Sequence, residues 1–174
     1  MSKYKQIRHI IITGIFILLE NQYRIGDSVD INGIIGKVEG ISLRKTMIRD
    51  VEGVLHHIPH GEVKMVSNKS KGFSSINLMV GISYTDNIDK AATIINKIGE
   101  DMLADSKWGE LLKEAPHFVR VQDLSDHSVV LKVSGDTHPG KQFNLSGELR
   151  KRIKEEFEKK GINIPYPQMV VHSK

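Results

Sequence analysis

The residues best able to do chemistry are three histidines close together in the chain, His56, His57 and His60. Imidazoles so near one another could share a metal ion or pass a proton. Adjacent residues of a strand point to opposite faces, Pro59 breaks the run, and no nearby carboxylate completes a ligand set, so surface or turn histidines are the competing reading. Asp123 and Asp126 flank Leu124-Ser125, and with a distant histidine these residue types could make a nucleophilic triad. No nucleophile elbow frames that serine. Gly33-Ile34-Ile35-Gly36-Lys37-Val38-Glu39-Gly40 is glycine-rich, but it lacks GxGxxG spacing, a following helix and a Walker lysine, so it reads as a hairpin and not as a phosphate cradle. The chain has no cysteine, which removes thiolate metal sites, iron–sulfur ligation, disulfides and a cysteine nucleophile together. The expectation is a protein that is not an enzyme and carries no cofactor or resident metal.

Charge narrows the partners. The formal net charge is +4, with an acidic middle between two basic flanks, short of the single-sign stripe of a nucleic-acid binder. Arg150-Lys151-Arg152, Lys154, Lys159 and Lys160 cluster, but Glu148, Glu155, Glu156 and Glu158 interleave with them, the pattern of a solvated helix face with i,i+4 pairs. Only 6% of residues are aromatic, and no aromatic pair suggests an RNA-stacking sheet. No nucleic-acid partner is expected.

The elements that position these residues follow from pattern. A length of 174 residues allows one or two domains. After Lys3, Lys5 and Arg8, the apolar run from His9 to Leu19 is closed by Glu20, too short for the roughly 20 apolar residues of a membrane span. No small-x-small cleavage site follows it. Three readings stand: a buried or subunit-contacting helix, a truncated membrane helix, or an uncleaved anchor. From Tyr23 to Val66, Ser28-Val29-Asp30-Ile31, Gly36-Lys37-Val38-Glu39, Leu43-Arg44-Lys45-Thr46-Met47-Ile48 and Val54-Leu55-His56-His57-Ile58 alternate as short strands, with Asn32-Gly33 as a type I′ hairpin turn. They make a small barrel or sandwich that needs a neighbour or copies of itself. Asn68-Lys69-Ser70-Lys71-Gly72-Phe73-Ser74-Ser75 reads as a linker. Beyond it a strand over 76–84 precedes a helix with Ile88, Ala91, Ala92, Ile94, Ile95, Ile98, Met102 and Leu103 on one face. Strands over 117–122 and 128–134 follow, then a helix carrying Phe143, Leu145, Leu149, Ile153 and Phe157, stopped by Gly161. A last strand over 168–172 completes β-α-β-β-α-β, the ferredoxin-like order. The fold class is α+β, with a small all-β, Sm-like barrel-type domain followed by a ferredoxin-like α/β domain and a C-terminal strand.

Tyr23-Arg24-Ile25-Gly26-Asp27-Ser28-Val29, Gly36-Lys37-Val38-Glu39-Gly40-Ile41, Leu43-Arg44-Lys45-Thr46, Ile58-Pro59-His60-Gly61 and Pro165-Tyr166-Pro167-Gln168 stand in an order and spacing that resembles the small-conductance mechanosensitive channel family, MscS-like. The resemblance runs from about Gly14 to His172. It implies the cytoplasmic part of a homoheptameric channel that releases ions and small osmolytes under membrane tension, built as a solute-filtering cage. By that resemblance residues 1–22 hold only the tail of the pore-lining helix, with Gly14, Ile15, Phe16, Ile17, Leu18 and Leu19 as its remnant. Residues 23–66 are then the β domain, 67–164 the α/β domain and 165–174 the strand given to a C-terminal barrel. Gly26, Asp27, Pro59, Tyr166, Pro167 and Gln168 would be structural motif residues. The family's tension-sensing transmembrane helices would precede Gly14, residues 1–13 do not resemble it, and the chain would be an engineered fragment or a natural remnant. The parent would sit in the cell membrane with this region on the cytoplasmic side, the chain alone being soluble or peripheral. The family usually has Ile-Pro-Asn where this chain has Ile58-Pro59-His60. The rival reading is a soluble ferredoxin-like module that senses a ligand or scaffolds a partner.

Overall fold

The computed structural model describes residues 15–17 and 19–167. The chain divides into two compact units, one ending at Phe73 and one beginning at Ser74. The first is an antiparallel sheet of five strands: β1 (Ser28–Ile31), β2 (Ile34–Ile41), β3 (Lys45–Arg49), β4 (Leu55–Pro59) and β5 (Val66–Asn68). Its order is β4-β3-β2-β1-β5. Asn32 and Gly33 both adopt positive φ, 54° and 87°, as the type I′ turn between β1 and β2 requires. Alternation then turns Val29, Ile31, Val38, Ile48 and Ile58 into one core, joined by Ile17 and Tyr23.

Two local readings need correction. The third strand begins at Lys45 and not at Leu43, because the Ser42 hydroxyl accepts hydrogen bonds from the backbone N–H of Arg44 and Lys45 and folds 42–44 into a turn. The polar stretch from Asn68 is not all linker. Asn68 closes β5 opposite Val29, and Ser70 Oγ accepts from the Ser28 N–H at 2.9 Å, so both belong to the first unit.

The second unit holds β6 (Ser74–Ile82), α1 (Ile88–Ala104), β7 (His117–Leu124), β8 (Val129–Thr137) and α2 (Gln142–Lys160). Sheet order is β6-β8-β7 with both ladders antiparallel, so β8 lies between β6 and β7, and those two run the same way across it. This is the split β-α-β arrangement. The Asn87 side chain caps α1 by accepting from Lys90 N–H at 2.9 Å. Gly161, at φ 69°, ends α2 in the left-handed conformation, and its N–H and that of Ile162 take up the carbonyls of Glu158 and Phe157. Ala91, Ile95, Ile98 and Met102 on α1, and Leu145, Leu149, Ile153 and Phe157 on α2, close over Ile76, Leu78, Leu131 and Val133. Each large side chain so covered contributes roughly 1.5–3 kcal/mol.

Leu103 and Phe143, expected on the buried faces, are exposed. Phe143 sits two positions before Leu145, roughly 200° round the helix, and points away from the sheet. In β7 the pairing with β8 slips at two places, leaving Val119 and Gln122 as bulge residues without a partner in the register. After α2, residues 162–167 are neither helix nor strand, and the Ser83 N–H donates to the Asn163 carbonyl at 3.0 Å. The strand expected over 168–172 lies outside the described residues. Among the described residues no helix is long and apolar enough to cross a membrane.

Candidate functional site

The most constrained polar structure of the first unit is the junction where a helical segment meets the sheet. Residues 15–17 and 19 are helical, with Ile17 buried in the β core and Ile15, Phe16 and Leu19 exposed. Gly14 and Leu18, named with them from the sequence, lie outside the described residues. Asn21 turns the chain out of the helix at φ 51°, a conformation asparagine tolerates better than most residues. Arg24 to Asp27 then forms a tight turn. The Asp27 N–H donates to the Arg24 carbonyl at 3.1 Å, and Gly26 takes φ 100°, which a side chain would strain.

The turn is fastened from a distance. Asp27 Oδ2 accepts from the Arg24 N–H at 3.0 Å and from Asn68 Nδ2 at 2.8 Å. The same Asn68 amide donates to the Gln22 carbonyl at 3.1 Å, and its Oδ1 accepts from the Ser70 N–H. Lys71 Nζ donates to the Asn21 carbonyl at 2.8 Å. The end of β5 and the residues after it thus act as a strap under the helix-to-β1 segment. These contacts fix geometry and present no nucleophile with an adjacent base.

Tyr23 anchors the same segment inside the sheet. Its hydroxyl lies 2.8 Å from Thr46 Oγ1, which lies 2.9 Å from His60 Nε2. His60 is fully buried, contrary to the surface or turn position expected for it, because the short 3-10 turn of His60–Glu62 folds its ring inward while the His60 N–H holds the Arg44 carbonyl. Pro59, the last residue of β4, lies opposite Lys45 and leads into that turn. The other two histidines are engaged separately. His56 Nε2 meets Asp50 Oδ2 at 2.8 Å, which together with the Val54 N–H holds the Asp50 carboxyl below its usual range, and Lys45 Nζ donates to His57 Nδ1 at 3.0 Å. Among the described residues no group of three metal-ligating side chains converges.

The remaining candidates serve structure. Asp123, near the end of β7, accepts at Oδ1 from the Leu124 N–H, and the Ser125 carbonyl in the β7–β8 connection accepts from the Tyr84 hydroxyl. On α2, Arg152 bridges Glu148 at 2.8 Å and Asp105 at 2.7 Å, while Lys154 pairs with Glu158 and Lys159 with Glu156. The Arg152–Asp105 contact leaves the helix and ties α2 to the loop after α1. Tyr166 and Pro167 are exposed, and Gln168 lies outside the described residues. Sequence reasoning missed Thr46, Asn68 and Ser70 as members of these networks. Thr46, a polar side chain at an inward position of β3, was the one local signal.

Two family models match in succession: the β-domain of mechanosensitive ion channels over residues 9–71, and the C-terminal domain of the mechanosensitive ion channel MscS over residues 76–164. The first match reaches back to residue 9, into the stretch that the motifs alone left unmatched. A small-conductance mechanosensitive channel of Caldanaerobacter subterraneus subsp. tengcongensis is 36% identical over 160 residues, covering 92% of this chain and 56% of the relative. An uncharacterized MscS family protein of Archaeoglobus fulgidus is 36% identical over 165 residues, with the same shares. The chain therefore spans little more than half the length of these curated relatives. The crystal structure of Helicobacter pylori MscS in its closed state superposes with a TM-score of 0.78 at 21% identity, over 98% of this chain and 66% of that one, a likeness of fold. With both domains matched in order and on the same fold, the chain belongs to the MscS family of mechanosensitive ion channels.

Proposed function

We propose that the chain is the cytoplasmic part of a channel that passes ions and small osmolytes when membrane tension rises. The observation that carries this reading is the succession of the two family domains over residues 9–71 and 76–164. In it, Ile15, Phe16, Ile17 and Leu19, with Gly14 and Leu18, form the foot of a pore-lining helix, and membrane helices ahead of Gly14 anchor the chain. The junction of residues 20–27 passes force between that foot and the β unit. The one-sided burial of the segment supports this, since Ile17 seats in the sheet while Ile15, Phe16 and Leu19 stay free for neighbours.

Seven copies around one axis would bury exposed apolar residues of the β unit such as Ile35, Val54 and Met65, as rings of heterologous contacts do. Residues 1–22 are then the helix foot, 23–73 the β domain, 74–164 the α/β domain and 165–174 the barrel strand, with Tyr166, Pro167 and Gln168 leading into the barrel. Portals between subunits filter solutes by size and rim charge. The chain's work is mechanical and electrostatic, with no catalytic step.

The test joins the chain to the transmembrane half of the Caldanaerobacter relative and records excised membrane patches under suction. Tension-gated currents support the reading, and their absence from correctly inserted protein refutes it. In parallel, light scattering on the chain is expected to give a sevenfold mass that falls when the chain is ended at Gly161. A monomer with and without detergent favours the soluble sensing or scaffolding module.

A further inference from the structure

Tyr23 and His60 are the buried titratable side chains among the described residues, and Thr46 joins them into one chain of hydrogen bonds. His60 Nδ1 is buried without a well-formed hydrogen bond. With the imidazole neutral and its proton on Nδ1, Nε2 accepts from the Thr46 hydroxyl, and Thr46 Oγ1 accepts from the Tyr23 hydroxyl, so the chain closes. Protonation makes both ring nitrogens donors. Nε2–H must then donate to Thr46, the Thr46 proton turns to the Tyr23 oxygen, and the Tyr23 proton is left with no acceptor. A charge has also been placed where nothing balances it.

The surroundings supply no counter-charge. On the elements around His60 the ionisable side chains are Arg24 beside Tyr23, Arg44 in the turn before β3, Lys45 and Arg49 on β3, His56 and His57 on β4, and Glu62 in its own turn; Arg49 is exposed and paired with Glu39. Arg24, Arg44 and Glu62 are exposed, Lys45 is bound to His57, and His56 is bound to Asp50. Tyr23 also sits at the centre of the strapped segment, between the Gln22 carbonyl held by Asn68 and the turn at Arg24.

We propose that His60 is an acid-sensitive latch: neutral, it closes the buried Tyr23–Thr46–His60 chain that pins the helix-to-β1 segment to the sheet; protonated, it releases Tyr23 and loosens that segment. This inference does not depend on the channel reading. Burial pushes the imidazole below the ordinary histidine value of 6.5, against a smaller pull upward from the Leu43 carbonyl. The closed form therefore refuses a proton that the open form takes up. Closure is at full strength above about pH 6.5 and is lost as pH falls from there through the lowered value, by up to about tenfold in the closed-to-open ratio per pH unit.

The experiment is hydrogen exchange on the full chain between pH 8 and 5, corrected for intrinsic rates, comparing peptides from residues 15–27 with peptides from α1. The expected result is acid-induced opening of 15–27 while α1 stays protected. His60→Asn, which cannot titrate, is expected to remove the acid step, and Tyr23→Phe to open 15–27 already at pH 8. Should His60→Asn not fold, nitrogen-15 shifts of the wild-type histidine rings decide, with His60 expected to titrate below the exposed histidines and in step with the opening. An acid step that survives His60→Asn, a His60 that titrates like the exposed rings, or a segment that stays closed while His60 protonates overturns the latch.

Discussion

Asn68 offers the sharpest test of how the junction is held. Asn68→Ala removes a charge-assisted hydrogen bond to Asp27 at 2.8 Å and a neutral one to the Gln22 carbonyl at 3.1 Å. It also strips the Ser70 N–H of its acceptor. Bonds to a charged group are worth about 1.5–3 kcal/mol and neutral ones about 0.5–1.5 kcal/mol. The site is only part-buried, so water recovers some of this, and the expected cost is about 2–3 kcal/mol. With a urea dependence of about 1–3 kcal/mol per molar, the midpoint of the first unit should fall by roughly 0.7–3 M. Trp108, the one tryptophan, lies in the second unit, so its fluorescence follows that unit while exchange in residues 20–31 follows the first. Asn68→Asp keeps an acceptor for Ser70 but sets a carboxylate against Asp27, so at low salt it should cost at least as much as alanine, and salt should relieve it. If both variants stay within about 0.5 kcal/mol of the parent, or the aspartate is the milder change at low salt, the strap does not hold the segment.

Two further expectations concern the second unit. A Cβ at Gly99 on α1 would overlap the Pro116 carbonyl, so Gly99→Ala should cost about 1–3 kcal/mol by forcing helix and loop apart, read as a lowered thermal midpoint, in spite of alanine's better helix propensity. The Arg152 guanidinium holds the Asp105 carboxyl below its usual range. Its contribution is full above the unfolded value near 3.8 and is lost as pH falls through the lowered folded one. Arg152→Gln should flatten that part of the acid limb in melts between pH 6 and 2, leaving the carboxylate pairs elsewhere unaffected.

What could be read from the chain was what depends on neighbours in sequence. Asn32-Gly33 fixes the β1–β2 turn by backbone conformation alone, Gly161 stops α2 for the same reason, and the four-residue spacing of Leu145, Leu149, Ile153 and Phe157 marks the buried face of a helix. Periodicity was less reliable at the rims of those faces, where Phe143 and Leu103 show that an apolar side chain alone does not decide burial. The junction was hidden for a different reason. Asn68 meets Asp27 and Gln22 across 41 and 46 residues, and a polar run with glycine resembles a linker until those partners are known. His60 was misplaced because a histidine after proline usually marks a turn at the surface, whereas here the turn folds the ring onto Thr46. The family motifs located Gly26, Asp27 and Pro59, but they did not say what each one touches.

The two slips in β7 bear on how the chain behaves at high concentration. β7 is an edge of its sheet, and it exposes Val119, Val121 and Leu124. An exposed apolar edge strand is a template on which other strands can stack. With Val119 and Gln122 each out of register, the outer row of N–H and C=O groups is bent and unevenly spaced, and a straight incoming strand cannot form a continuous ladder along it. The irregularity therefore acts as protection against fibrous aggregation along an edge that exposes apolar side chains.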